Sequence, residues 1–261
     1  MIKLENVTAG YNNVEVIKNI NIDFEESSIT SIIGKNGCGK TTLLKTASNL
    51  LKPFSGKITI RGEDVLSISN KELAKKISYL PQHRPVPNIT VYNLVMHGRY
   101  PYLGFSRTPR KKDKEIVEMA IEHMGLNNYI NKNILELSGG ERQKAYIAMI
   151  LAQDTDIIFL DEPTTFLDIN HQLEILEIIK NLKTMRKTIV MVLHDLNSAL
   201  RCSDKVCLLE KGEIVICDTP QAVFESGIIN EVFKIYSKQV LIGDGTGKQY
   251  EDTKQYVFYL K

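Results

Sequence analysis

Gly34-Lys35-Asn36-Gly37-Cys38-Gly39-Lys40-Thr41-Thr42 follows the apolar run Ile29, Ile32, Ile33 and precedes a helix-forming stretch from Leu43 to Leu50. Strand, glycine-rich loop and helix in that order make a phosphate-binding loop. Gly34 and Gly39 let the backbone turn sharply. Successive N–H groups through Asn36, Gly37, Gly39 and Thr42 then converge on the phosphates of a nucleotide at a helix N-terminus. Lys40 adds a point charge, and the Thr41 hydroxyl is placed to ligate Mg²⁺. The plain alternative is a glycine-rich turn with a surface lysine. At ordinary residue frequencies the four fixed positions would coincide in such a chain only about one time in a hundred. Nucleotide binding is the reading that survives.

The whole-chain totals exclude more than they assign. With 261 residues, 43% hydrophobic and 25% charged, the sequence suits a soluble globular protein, either one α/β domain with an appended subdomain or two small domains. Lys and Arg number 33 against 31 Asp and Glu, and a net charge of +2 gives no case for nucleic-acid binding. No apolar run approaches the roughly 18 residues of a membrane-spanning helix, and Met1–Asn6 lacks the blocks of a signal peptide, so the chain is expected in the cytosol. Cys38, Cys202, Cys207 and Cys217 form no CxxC pair, which indicates neither a zinc site nor a disulfide frame. Cys38 lies in the phosphate loop, where the same positive field should favour its thiolate.

Residues 2 to 24 alternate with period two and read as antiparallel strands around Gly10-Tyr11-Asn12-Asn13. Tyr11 is either a turn residue packed on the sheet or an aromatic face for a purine ring. A turn at Pro53–Gly56 leads to a strand over 57–61, a short helix over 70–76 and a strand over 77–80 ending at Pro81-Gln82. After a proline-containing loop at 83–88, a helix runs from about Thr90 to Gly98. Arg99 to Pro109 carries Tyr100, Tyr102, Leu103 and Phe105 among prolines and a glycine, too short and broken to build its own core. Such residues tuck under a helix or form a docking patch, and docking is the reading preferred here. Arg110–Lys112 leads a solvated helix over about 113–124, stopped by Gly125.

Ser138-Gly139-Gly140-Glu141 opens the next helix, and Ser followed by Glu three residues on is a capping box. Capping does not explain two glycines in a first turn, where each costs up to about 1 kcal/mol relative to Ala. Bare backbone there suits close approach by an anion. Ile157–Leu160 reads as a strand buried on both faces of a parallel sheet, delivering Asp161 and Glu162 to its C-terminal edge. Two adjacent carboxylates there suggest one acting on Mg²⁺ and one on an attacking water. A second buried run, Ile189–Leu193, brings His194 to the same edge. The remainder holds a hairpin about Lys211-Gly212, a helix opened by Thr219-Pro220, and a further hairpin, 240–242 with 256–260, across a glycine-rich turn at 243–247.

Gly34–Thr41, Gln82, Leu137–Glu141, Ile158–Pro163, Leu167-Asp168 and His194 together resemble the ordered motif set of an ABC-type ATPase over essentially the whole chain. The resemblance implies an α/β phosphate-loop ATPase core with a mostly parallel sheet, an N-terminal antiparallel β-subdomain and a helical subdomain. The core would take about 1–85 and 155–236, the helical subdomain about 86–154, and a β-hairpin tail 237–261. It implies a head-to-tail dimer with each ATP between the phosphate loop of one subunit and Ser138, Gly139 and Gly140 of the other. Tyr11 would then stack on adenine, Lys40 and Thr41 hold phosphates and Mg²⁺, and Gln82 sense metal and nucleophile. Asp161 would support Mg²⁺, Glu162 act as general base, His194 contact the γ-phosphate and Asp168 cross the interface. Met96–Phe105, Glu162–Asp168 and His171-Gln172 are similar to ATPase subunits of importers for iron-siderophores, haem and cobalamin. That implies a peripheral subunit on the cytoplasmic face of the membrane, docked on a multi-span permease served by an extracytoplasmic binding protein. A soluble ABC ATPase without a permease, in cofactor assembly or nucleic-acid maintenance, is the alternative. Cys38 in place of a smaller residue and Thr165 in place of Ser are mild departures.

Overall fold

The computed structural model describes residues 2–104, 108–242 and 253–261. The period-two alternation at the start becomes β1 (Ile2–Tyr11) and β2 (Val14–Phe24), antiparallel and joined by Asn12 and Asn13 at φ 51° and 61°. Two consecutive positive φ values are the hairpin turn whose twist matches its strands. Then come β3 (Ile29–Ile33), α1 (Lys40–Ala47), β4 (Ser55–Ile60), β5 (Glu63–Asp64), α2 (Asn70–Leu73) and β6 (Ile77–Leu80). A helical stretch follows, with α3 (Val91–His97), α4 (Lys111–His123) and α5 (Gly139–Gln153). The chain then alternates through β7 (Ile157–Asp161), α6 (Ile169–Thr184), β8 (Thr188–Val192), α7 (Leu196–Cys202) and β9 (Lys205–Glu210). It ends in β10 (Glu213–Asp218), α8 (Pro220–Glu225), α9 (Ile228–Phe233) and the antiparallel pair β11 (Ile235–Ile242) and β12 (Thr253–Leu260).

Four expected boundaries move. The C-terminal hairpin begins at Ile235 rather than 237, and its register sets 256–260 against 235–239 and 240–242 against 253–255. Ser55 and Gly56 belong to β4 rather than to a turn, because a bulge in β1 between Glu5 and Thr8 carries the pairing on to Ser55. The helix expected over 70–76 is α-helical only to Leu73. The α4 helix begins at Lys111, since the Asp113 carboxylate turns back to accept the Arg110 N–H at 3.0 Å. The glycine-rich turn at 243–247 and Phe105 lie outside the described residues.

A six-stranded sheet in the order β10-β9-β3-β8-β7-β6 forms the centre, parallel except for the β9–β10 hairpin. Its strands are apolar on both sides, and alternation sorts the side chains. Ile158, Leu160, Ile189 and Met191 pack with α3 to α7, whereas Ile157, Phe159, Val190 and Val192 pack with α1 and the sheet β2-β1-β4-β5. At about 25 cal/mol per Å² of apolar surface removed from water, this two-sided burial is the main support of the fold. It also sets the function, because β3, β6, β7 and β8 run the same way and end together at one edge.

Arg99 to Leu103 is partly buried and partly exposed. Arg99 is only 4% exposed: its guanidinium donates to Asp113 at 3.0 Å and to the Ala152 carbonyl at 2.8 Å and lies 3.9 Å from the Tyr102 ring centre. Leu103 is buried too, while Tyr100 is 56% exposed. Removing one member of a buried ion pair strands the other charge. Arg99→Ala should therefore cost about 3–5 kcal/mol in urea unfolding, and a loss under about 1 kcal/mol would show the pair to be dispensable.

Candidate active site

The phosphate loop wraps the head of α1. Gly34 and Gly39 have φ of 150° and 107°, and a methyl added to Gly39 would come within 2.9 Å of Ile17 Cγ2. Neither position accepts another residue without strain. The Lys40 ammonium is buried beneath the loop, donating to the carbonyls of Gly34 at 2.8 Å and Lys35 at 2.9 Å. One residue on, the Thr41 hydroxyl donates to Asp161 Oδ1 at 3.0 Å. Tyr79 on the neighbouring strand β6 donates to Asp161 Oδ2, also at 3.0 Å. Burial pushes the Asp161 carboxyl above its ordinary range, against the two hydroxyls that lower it.

Glu162 leaves β7 in the left-handed region at φ 53°, which costs a non-glycine residue about 1–3 kcal/mol. Its carboxylate is nearly buried and collects three partners. The Gln82 amide donates to Oε2, the Thr165 hydroxyl donates to the same oxygen at 3.0 Å, and His194 Nε2 lies 2.5 Å from Oε1. Each comes from a different segment: the end of β6, the turn after β7 and the end of β8.

A cavity of about 400 Å³ opens between these groups. Of the residues singled out in the sequence, Asn36, Gly37, Gly39, Lys40, Thr41, Thr42, Gln82, Glu162 and His194 line it, joined by Val16. Gly34 and Asp161 stand behind that lining. Tyr11, 44% exposed, sits at the end of β1 outside it. Ser138, Gly139 and Gly140 stand apart at the start of α5, where Ser138 Oγ accepts the Glu141 N–H at 3.3 Å and Glu141 accepts the Ser138 N–H at 2.9 Å. Asp168 caps α6, and its carboxyl is held below its usual range first by the His171 N–H. Sequence reading missed Val16, Tyr79 and the role of Thr165. A tyrosine within an otherwise buried strand was the available signal, because its hydroxyl must find a partner.

A backbone cradle with a buried lysine, facing hydroxyl, amide and carboxylate oxygens, fits a nucleoside polyphosphate and a hard divalent cation. With the Leu137–Glu141 helix start on the same chain, fold and site define an ATP-binding cassette. The profile of the ABC transporter family matches residues 17–165, and the chain belongs to that family. Its relatives include the petrobactin import ATP-binding protein FpuD of Bacillus anthracis, 40% identical over 236 residues, covering 90% of this chain and 86% of that protein. The iron(3+)-hydroxamate import ATP-binding protein FhuC of Bacillus subtilis is 41% identical over 234 residues, covering 88% and 87%. The fold also superposes on the ATP-binding cassette MJ0796, solved as a dimer in a post-hydrolysis state with ADP and Pi, at a TM-score of 0.73 and 29% identity, covering 84% of this chain and 99% of that one. Family membership makes this chain a nucleotide-binding ATPase subunit of a transport system.

Cys38 departs from its expectation. The thiol is buried under the loop, and burial raises its pKa although Lys40 and backbone N–H donors oppose the shift. Cys38 should therefore react with iodoacetamide at neutral pH more slowly than free cysteine, as followed by mass-spectrometric mapping; faster labelling would restore the activated thiolate.

Proposed function

We propose that this chain is the ATP-hydrolysing motor of a membrane importer for an iron(III)-siderophore or related iron complex, working as two head-to-tail copies on a multi-span permease. The observation that carries the iron reading is that relatives near 40% identity over about nine-tenths of the chain bear the names of iron(3+)-hydroxamate import and probable siderophore transport ATP-binding proteins. The observation behind the two copies is the separation of Ser138–Gly140 and Asp168 from the residues that line the phosphate cavity.

In this reading the loop N–H groups and Lys40 hold the phosphates, and Tyr11 offers its exposed ring to adenine. Thr41, Asp161 and Gln82 would hold Mg²⁺, which when bound neutralises charge on the phosphate oxygens. Glu162 is the general base, taking a proton from the attacking water at a carboxylate oxygen. Gln82, Thr165 and His194 fix that carboxylate, and His194 is near enough to the cavity to meet the γ-phosphate. Ser138, Gly139 and Gly140 of one copy close over the nucleotide of the other, and Asp168 crosses between them. Catalysis then rests on positioning and charge complementarity, assembled only when ATP joins the copies.

Permease contact is assigned to the hollow of about 300 Å³ lined by Lys71, Tyr100, Leu103 and Gly104, where Tyr100 stands out from a segment otherwise anchored by Arg99. The chain would then lie on the cytoplasmic face of the membrane, in keeping with the lack, among the described residues, of any helix long and apolar enough to cross it. An extracytoplasmic binding protein would deliver the iron complex to the permease.

Glu162→Gln should keep ATP affinity and lose at least about 100-fold in turnover. When this variant is tagged and recovered with ATP from detergent-solubilised membranes of its host, a multi-span permease should come with it. Near-normal turnover would remove Glu162 as the base, and recovery of soluble partners alone would replace the importer with a permease-free ATPase.

A further inference from the structure

Gly140 is bare for a reason internal to this chain. A methyl added at its Cα would overlap the His171 ring, coming within 2.5 Å of Cγ and Nε2. Gly139 beside it is under no such pressure, since the atom nearest to an added methyl there is Leu167 Cδ2 at 3.7 Å. The His171 ring is itself fixed. Its backbone N–H donates to Asp168 Oδ1 at 2.9 Å, and its Nδ1 lies 2.7 Å from Asp168 Oδ2. Gln172 closes the same turn by donating to the Leu167 carbonyl at 2.8 Å. One imidazole thus spans from the Asp168 carboxylate to the backbone at the head of α5, and an ion pair between Lys144 and Glu174 ties the same two helices further along.

We propose that His171 is a positioning residue that wedges the Asp168 turn against Gly140, so that Ser138–Gly140 and Asp168 meet the second copy as one unit. The inference rests on the two-copy reading above, and its structural half can be tested without it. The physical logic is that of a packed contact with one favoured arrangement: a ring held at one edge by a carboxylate and seated against bare backbone leaves neither segment free to shift alone. Phosphate approach from the partner would ask for a bare Gly140 whether or not His171 were present. The wedge asks for it only because the ring is there.

That difference defines the experiment. Gly140→Ala, His171→Ala and the double variant are compared by thermal unfolding of the nucleotide-free chain. Gly140→Ala should lower the melting temperature, and adding His171→Ala should recover most of that loss; additive losses would overturn the wedge. In ATPase assays His171→Ala should lower kcat at least about fivefold while leaving the ATP KM within about twofold. His171→Gln, which keeps a donor for Asp168, should regain much of that rate. Unchanged kcat in His171→Ala would overturn the positioning role. Failure of paired Lys40→Ala and Ser138→Arg chains to restore hydrolysis when mixed would overturn the two-copy reading instead, with the unfolding cycle still deciding the wedge.

Discussion

The hydrogen bond from the Thr41 hydroxyl to Asp161 joins the two halves of the site that the rest of the chain serves. Thr41 belongs to the first turn of α1 and Asp161 to the last residue of β7, so one contact sets the phosphate loop against the acidic strand end. Asp161 is 2% exposed and keeps its place only because Thr41 and Tyr79 satisfy one oxygen each. An unpaired carboxylate at that depth would cost several kcal/mol. The two-sided core holds the strands parallel and in register, and that register brings Gln82, Asp161 and His194 to a common edge with the loop. Fold and chemistry therefore share one constraint.

Glu162 shows how the edge is used. Its backbone is in a region that a glutamate avoids, and its carboxylate is gripped by Gln82, Thr165 and His194 from three segments. Backbone strain is maintained by contacts that converge from outside the turn. The geometry gives one carboxylate a fixed aim across the cavity, held by groups that follow separate strands.

Much of this was legible because the signals were local. Turn residues at Asn12 and Asn13, the capping box at Ser138 and Glu141, and the apolar run before Asp161 each act within a few residues of sequence, where periodicity and capping chemistry speak directly. What stayed hidden was decided by partners far along the chain. Arg99 carries no sequence signal for the Ala152 carbonyl and Asp113 carboxylate that enclose it. Cys38 looks activated by Lys40 until burial is weighed against the charge. Gly140 shows nothing in its own sequence neighbourhood of His171, more than thirty positions on, whose ring an added methyl would meet. In each case the deciding neighbour lies far along the chain, and for Cys38 it reverses the local expectation.

On the proposed reading the chain presents two incomplete surfaces: a cavity lined by the glycine-rich loop, Lys40 and the Glu162 carboxylate, and a helix start at Ser138–Gly140 that does not line that cavity. The most direct test is to mix two inactive chains, Lys40→Ala and Ser138→Arg. Each alone should be inactive, whereas an equal mixture should form heterodimers with one intact site and recover about a quarter of the wild-type rate if sites act independently. No recovery from chains that still pair would mean that each site is built within a single copy, and the account would be wrong at its centre.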